Sequence, residues 1–171
     1  ISKNTSDIRI YSFDSLAKKE ITSIKMDIIM NPVKFKYIIL YRELPAQLYF
    51  ASESYNNLLQ QREIECYVNG VNILLNATAV YTTDSTNWVE NIYAPSWDTT
   101  RTASALIDGN LSNEGLGESA SDNIPVHWIA TLPDECNIYD VEYVNIYNAT
   151  DSNNRRIAGC SIHFMNSEYS F

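Results

Sequence analysis

The sequence predicts an all-β fold, an antiparallel β-sandwich, on three observations. Three Trp, twelve Tyr and five Phe among 171 residues suit strands better than helices, because aromatic rings pack well on a pleated, half-buried surface. Short apolar runs recur along the chain, each closed by a turn signal such as Asn31-Pro32 or Asn69-Gly70. Helical patterning is confined to one brief piece, Ser12 to Glu20. Many short strands with almost no helix point to two packed sheets.

The elements follow in order. Asp7–Ser12 alternates polar and apolar residues and reads as a short strand, and Ile21–Met30 alternates around Ile24, Met26 and Ile28 until Asn31-Pro32 breaks it. Val33 to Tyr41 begins with period-two alternation and then turns apolar on both faces, as a central strand does on entering a core. Ala51 to Gln61 is polar and Asn-rich and reads as a long surface loop. Ile64–Val68 is a strand closed by Asn69-Gly70, two residues that tolerate positive φ and let the chain reverse tightly. Extended structure resumes over Asn72–Thr82, and Asp84 to Thr102 is a loop rich in Thr, Asn and Trp. Trp128–Leu132, Tyr139–Tyr147 and Ile157–Phe164 complete the strands.

Composition narrows the function. A hydrophobic content of 45% is that of a globular chain, and 171 residues are enough for one domain with a real core. Beginning at Ile1 rather than Met, the chain is expected to be a processed or truncated product, and no signal peptide is visible. The net charge of −9 argues against nucleic acid, whose phosphates require a basic surface. Lys18, Lys19, Lys25, Lys34 and Lys36 lie in an early segment and read as a solvated strand face. No apolar run approaches the ~18 residues of a membrane-spanning helix, so membrane insertion is not expected. Cys66, Cys136 and Cys160 have no metal-ligand spacing and lie in or beside apolar segments, so buried free thiols are expected, the alternative being one bridged pair that the sequence does not specify.

Several motifs share an order that resembles a known family. Tyr37-Ile38 is followed by Arg62-Glu63-Ile64-Glu65-Cys66-Tyr67, then Asn72-Ile73-Leu74, the turn Ala105 to Asn110 carrying Asp108-Gly109-Asn110, the strand Trp128 to Leu132, and Ile146-Tyr147-Asn148 leading to Asp151, Arg156 and Gly159. This order resembles the galactose-binding-like β-sandwiches, which include the discoidin (coagulation-factor type C) domains and the fucose-binding lectins. The resemblance covers roughly Val33 to Gly159 and implies a jelly-roll-like sandwich domain over 33–171, with residues 1–32, which have no counterpart in it, as an N-terminal arm or extension. In the lectins the Glu-Val-x-Val strand ends the domain, whereas here its counterpart comes first and runs into the next strand through Asn69-Gly70. That arrangement implies a circularly permuted sandwich, the alternative being the tail of one domain followed by the head of another. One closed domain is favoured, because half a sandwich would leave its apolar face in water. Similar sandwiches occur in structural proteins of large DNA viruses.

The resemblance also implies sites. Fucose-binding relatives hold the sugar with one His and two Arg. Here the first Arg position is Ala149, Ser152-Asn153 replaces the lectins' adjacent cysteines, and Glu118 to Asn123 contains no His. Arg156 remains, with Arg155 as a substitute and Asp151 as the carboxylate to which a lone Arg would anchor its own loop. Family members often bind calcium beside the Asp-Gly-Asn turn, which would make Asp108, Asn110, Ser119 and Glu63 the oxygen donors. The competing reading is an Asx turn in which Asp108 caps its own backbone and Gly109 takes positive φ.

From the residues themselves, Tyr139, Tyr143 and Tyr147 recur every fourth position along one predicted strand. They would share a face opposite Val144 and Ile146, suited either to a protein interface or to cross-strand packing on another tyrosine. His127 and His163 sit in no recognisable catalytic or metal motif, so an enzyme is not expected. The sequons at Asn4, Asn76, Asn110 and Asn148 are too easily met by chance in so Asn-rich a chain to establish glycosylation. The expectation is a non-enzymatic structural or interaction module, a minor capsid protein contacting other virion or assembly proteins and located in the virion or otherwise extracellular or surface-exposed. Its rival is a calcium-assisted carbohydrate-binding module that attaches to a glycan.

Overall fold

A computed structural model describes residues 34–42, 58–83, 100–118, 124–150, 157 and 159–166. Within them lie eight strands: β1 (Lys34–Arg42), β2 (Leu58–Val68), β3 (Val71–Asn72), β4 (Thr78–Thr82), β5 (Gly115–Glu118), β6 (His127–Asn137), β7 (Val141–Asn148) and β8 (Cys160–Met165). The helical elements among the described residues are short 3-10 turns at Ile73–Asn76, Ala103–Leu106 and Ile138–Asp140. The chain is all-β, built as two antiparallel sheets.

The first sheet runs β4-β6-β1-β8. The second is organised around β2. Gln61 faces both Gly115 and Asn148, and Tyr67 faces both Asn72 and Tyr143. A residue has only two edges, so β7 takes one edge of β2 while β5 and β3 divide the other.

Period-two alternation sends one face of each sheet into a shared core. From β1, Ile38 and Leu40 point inward; from β6, Trp128, Ala130 and Leu132; from β8, Ile162 and Phe164. Ile64 and Cys66 of β2 and Val144 and Ile146 of β7 meet them from the second sheet. Ile64 stands opposite Ile146 and Cys66 opposite Val144. Trp128 is fully buried, and its indole N–H donates to the Ala103 carbonyl at 2.9 Å, so the largest core side chain leaves no polar atom unpaired. Phe35 and Phe164 meet edge to face at 4.8 Å. Arg42 is buried as well, and its guanidinium Nη1 donates to the Leu58 carbonyl at 3.0 Å, tying β1 to β2. The outward face of the first sheet holds a smaller apolar cluster of Ile39, Ile129 and Met165.

The β2–β3 connection is the tight reversal expected at Asn69-Gly70. Val68 pairs with Val71, and the two residues between them have φ of 51° and 74°, the left-handed pair of a type I′ turn. Strands on both sides of this joint contribute to the same core.

Several expectations are corrected. Leu58 to Gln61 is not loop but the start of β2, fully buried, because Leu58 and Leu59 supply apolar side chains to cover. Gln60 satisfies its amide on Glu114 at 2.6 Å. Asn72–Thr82 is not continuously extended. The Asn72 side chain accepts from the Leu74 N–H at 3.2 Å and turns the chain into a 3-10 turn before β4. Tyr139 lies in the 3-10 turn ahead of β7, not on the strand, because Asn137 accepts from its N–H at 3.0 Å in the same manner. β5 is an additional strand, and its Gly-Leu-Gly-Glu sequence carries almost no strand signal. The glycines are there for contact. A Cβ on Gly115 would meet Leu106 Cδ1 at 1.5 Å, and one on Gly117 would meet the Tyr81 ring at 2.6 Å. The residue 1–32 arm and its two predicted strands and helix lie outside the described residues.

Candidate functional site

The outward face of β2 and β7 carries most of the chemistry. Since Ile64 and Cys66 face the core, Glu63, Glu65 and Tyr67 take the other side of β2. By the same rule Tyr143, Asn145 and Tyr147 take the outer side of β7. Register places them in three cross-strand pairs: Glu63 with Tyr147, Glu65 with Asn145, and Tyr67 with Tyr143.

Each pair is distinct. Tyr67 and Tyr143 stack, with centroids 4.7 Å apart and planes at 27°. Tyr143 thus has the tyrosine partner that the packing alternative requires, yet it is still 39% exposed. Glu65 Oε2 accepts from Asn145 Nδ2 at 2.9 Å and from the Tyr147 hydroxyl at 3.1 Å, which fixes the carboxylate in place. Burial and then the Glu65 charge raise the phenol pKa of both Tyr67 and Tyr147. At the end of the sheet where Val68 pairs with Val71 and Val141, Val71 is 60% exposed and Tyr139 76% exposed. Tyr139 is therefore exposed at that end of the sheet without belonging to the strand.

Glu63 is different. It lies on the outer side of the sheet but is fully buried, beneath the Asp108–Asn110 turn. Gly109 N–H donates to Glu63 Oε1 at 3.3 Å, while Oε2 has no hydrogen-bond partner among the described residues. Burial first, opposed by the Gly109 N–H and reinforced by the Asp108 and Glu65 charges, pushes the Glu63 carboxyl up to about 7. Asp108 Oδ1 accepts from the Asn110 N–H at 2.8 Å, and Gly109 has φ of 75°, so the turn is an Asx turn. Asp108 Oδ2 accepts from Asn113 Nδ2, and Asn110 Oδ1 accepts from the Ser112 N–H at 3.0 Å. Next to Glu63, across a register shift between Gln61 and Glu63, the buried Gln61 amide has neither its oxygen nor its nitrogen paired among the described residues. Two buried polar groups without full partners at one bulge are unusual, and bulges often re-aim side chains at functional sites.

The structure therefore brings Glu63, Asp108 and Asn110 together, as the calcium reading requires. Ser119, and with it Asp151, Arg155 and Arg156, lie outside the described residues. Among the described residues no group of three or more His, Cys, Asp or Glu side chains is arranged to hold a metal, so two carboxylates would have to be completed by amide and backbone oxygens.

A second cluster occupies the outer face of the first sheet. Tyr41 stacks on His127 at 4.7 Å and meets His163 edge-on at 5.2 Å, and His163 Nε2 lies 2.7 Å from Ser161 Oγ. His127 Nδ1 accepts from the Arg42 N–H at 3.3 Å. Burial, then the Arg42 and His163 charges, push His127 down to about 4, so it is neutral at physiological pH. Residue order offers no way to join His127 to His163, which lies on β8 with β1 in between. Cys66, Cys136 and Cys160 are all free, with Cys66 and Cys160 buried and Cys136 half-buried.

No protein-family model, curated protein or solved structure matches this chain.

Proposed function

We propose that this chain is a non-enzymatic interaction module built on a galactose-binding-like, jelly-roll-like sandwich, serving as a minor capsid protein that binds other virion or assembly proteins. The observation that carries this reading is the outward aromatic face of β2 and β7, where Tyr143 stays exposed on a hydrogen-bonded sheet, stacked on Tyr67. Tyrosines at such positions bury a large area on binding while their hydroxyls remain satisfied, and sheet positions cost little ordering entropy. The virion setting is supported by the family resemblance of the strand order. The test is a photo-crosslinking side chain at Tyr143, with the same group at Thr78 on the other sheet as control. Crosslinks to one assembly protein from position 143 alone are expected. A chain that stays monomeric and crosslinks to nothing during particle assembly would refute the reading.

Glu63 favours a second reading, the calcium-assisted carbohydrate module. A buried carboxylate oxygen without a partner, beside a second carboxylate, fits a hard cation. Glu63 and Asp108 would hold it with the Asn110 side chain and turn carbonyls, and the cation would neutralise the two charges and stiffen the turn. A glycan array read with and without chelator separates the readings. A chelator-sensitive signal lost in Asp108→Ala and Arg156→Ala favours attachment to glycans.

A further inference from the structure

We propose that the outer face of β2 and β7 is a docking surface for an arginine-bearing segment of a partner protein, seated on the Tyr67–Tyr143 stack beside the Glu65 carboxylate. This deepens the interaction-module reading and rests on it.

The argument is one of charge and shape. Glu65 is held at Oε2 by Asn145 and Tyr147, which leaves Oε1 without a partner among the described residues. The Glu65 carboxylate is thus oriented before any ligand arrives, and it is paired with no cation among the described residues. The charged side chains that act on Tyr67, Tyr147 and Glu63 are all acidic: Glu65 on both phenols, Asp108 and Glu65 on Glu63. An uncompensated negative strip with aromatic rings in its midst calls for a cation that can also lie flat. A guanidinium does both, forking onto a carboxylate while stacking on a ring face. An ammonium is a compact point charge and gains less from the stack. A sugar would stack on the rings but leave the Glu65 carboxylate unneutralised. Outward residues on each strand are spaced about 7 Å apart along the sheet, so an extended segment with alternate arginines matches the rows.

The experiment titrates the full chain with fluorescent peptides of alternating arginine and serine, lysine and serine, or glutamine and serine, followed by anisotropy at low and near-physiological ionic strength. Saturable binding of the arginine peptide is expected, with lysine weaker by roughly two- to fivefold and glutamine not bound. Tyr143→Ala, which changes no charge, should weaken the arginine peptide by a similar roughly two- to fivefold, while Tyr143→Phe retains it. Glu65→Gln, still able to accept from Asn145 and Tyr147, should also weaken binding and serves if Tyr143→Ala proves unstable. Absence of saturable arginine binding overturns the proposal. So does binding that is the same in Tyr143→Ala and wild type, since that reflects only the overall charge of −9. If the crosslinker at position 143 captures an assembly protein while no arginine peptide binds, the cationic chemistry is wrong and the interaction reading stands. If the arginine peptide binds in the expected pattern and the crosslinker captures nothing, the surface is supported and the assembly role falls.

Discussion

Replacing Glu63 by Gln should change how stability depends on pH more than how large it is at any one pH. Glu63 is fully buried with Oε2 unpaired, and its carboxyl is raised from 4.5 to about 7. An acid whose folded pKa lies above its unfolded value binds its proton more tightly in the folded state. Below 4.5 both states are protonated and Glu63 adds no pH-dependent cost. Between 4.5 and 7 the unfolded chain ionises first, so stability falls as pH rises. At about 1.4 kcal/mol per pH unit the full loss is up to about 3 kcal/mol, reached just above 7. Gln is isosteric and neutral, so its amide oxygen can keep the Gly109 bond and the pH-dependent loss disappears. Its Nε2 then lacks an acceptor, at about 1–3 kcal/mol whatever the pH. The decisive quantity is therefore the slope of the difference between variant and wild type. Urea unfolding at a series of pH values from 4 to 8, with Tm measured alongside, should show Glu63→Gln gaining on wild type by up to about 3 kcal/mol across that range. Parallel stability curves would show that Glu63 does not titrate abnormally and would refute the account of its burial. Repeating the pH 8 measurement with calcium separates a cation ligand from a buried acid, since calcium should then stabilise wild type and not the variant.

Three further outcomes follow from the same structure. His127, depressed to about 4, is neutral when folded, so its contribution is present above 6.5 and lost as pH falls through 4, amounting to about 3 kcal/mol. In His127→Phe, which retains the stack on Tyr41, this acid-side loss should be absent from the Tm profile. Trp128→Ala should cost about 3–5 kcal/mol in urea unfolding, from a fully buried indole and its bond to Ala103. Gly115→Ala should destabilise by about 1–3 kcal/mol through overpacking against Leu106, while Gly70→Ala, with nothing within 4 Å of the new Cβ and only φ of 74° against it, should cost about 1 kcal/mol, and thermal melts should rank them in that order.

Parts of this architecture can be read from residue order because they rest on local rules. The alternation in Ile38-Ile39-Leu40 and Val144-Asn145-Ile146 specifies which side of each strand faces inward, since side chains in a strand must alternate. Asn69-Gly70 specifies a reversal because two adjacent positive φ values suit few other residues. The Asx turn at Asp108 is local in the same sense. β5 is illegible for the opposite reason: its glycines reflect the Tyr81 ring and Leu106 pressing on the backbone, a contact between distant segments. Leu58 to Gln61 looked like surface because Gln60 and Gln61 are polar, and only the approach of Glu114 and the packing of Leu58 and Leu59 bury it.

The site divides along the same line. Residue order determined that the fold would be all-β, that Tyr143 and Tyr147 would point away from Val144 and Ile146, and that Asp108 would sit in a turn. Tertiary structure alone decided that Tyr67 would be the ring under Tyr143, that Glu65 would be clamped by Asn145 and Tyr147, and that Glu63 would lie sealed beneath Gly109 with one oxygen unpaired. Facing direction follows from the geometry of a single strand. Partnership and burial depend on strand register and on which distant loop covers the sheet, and both are set by the packing of the whole chain.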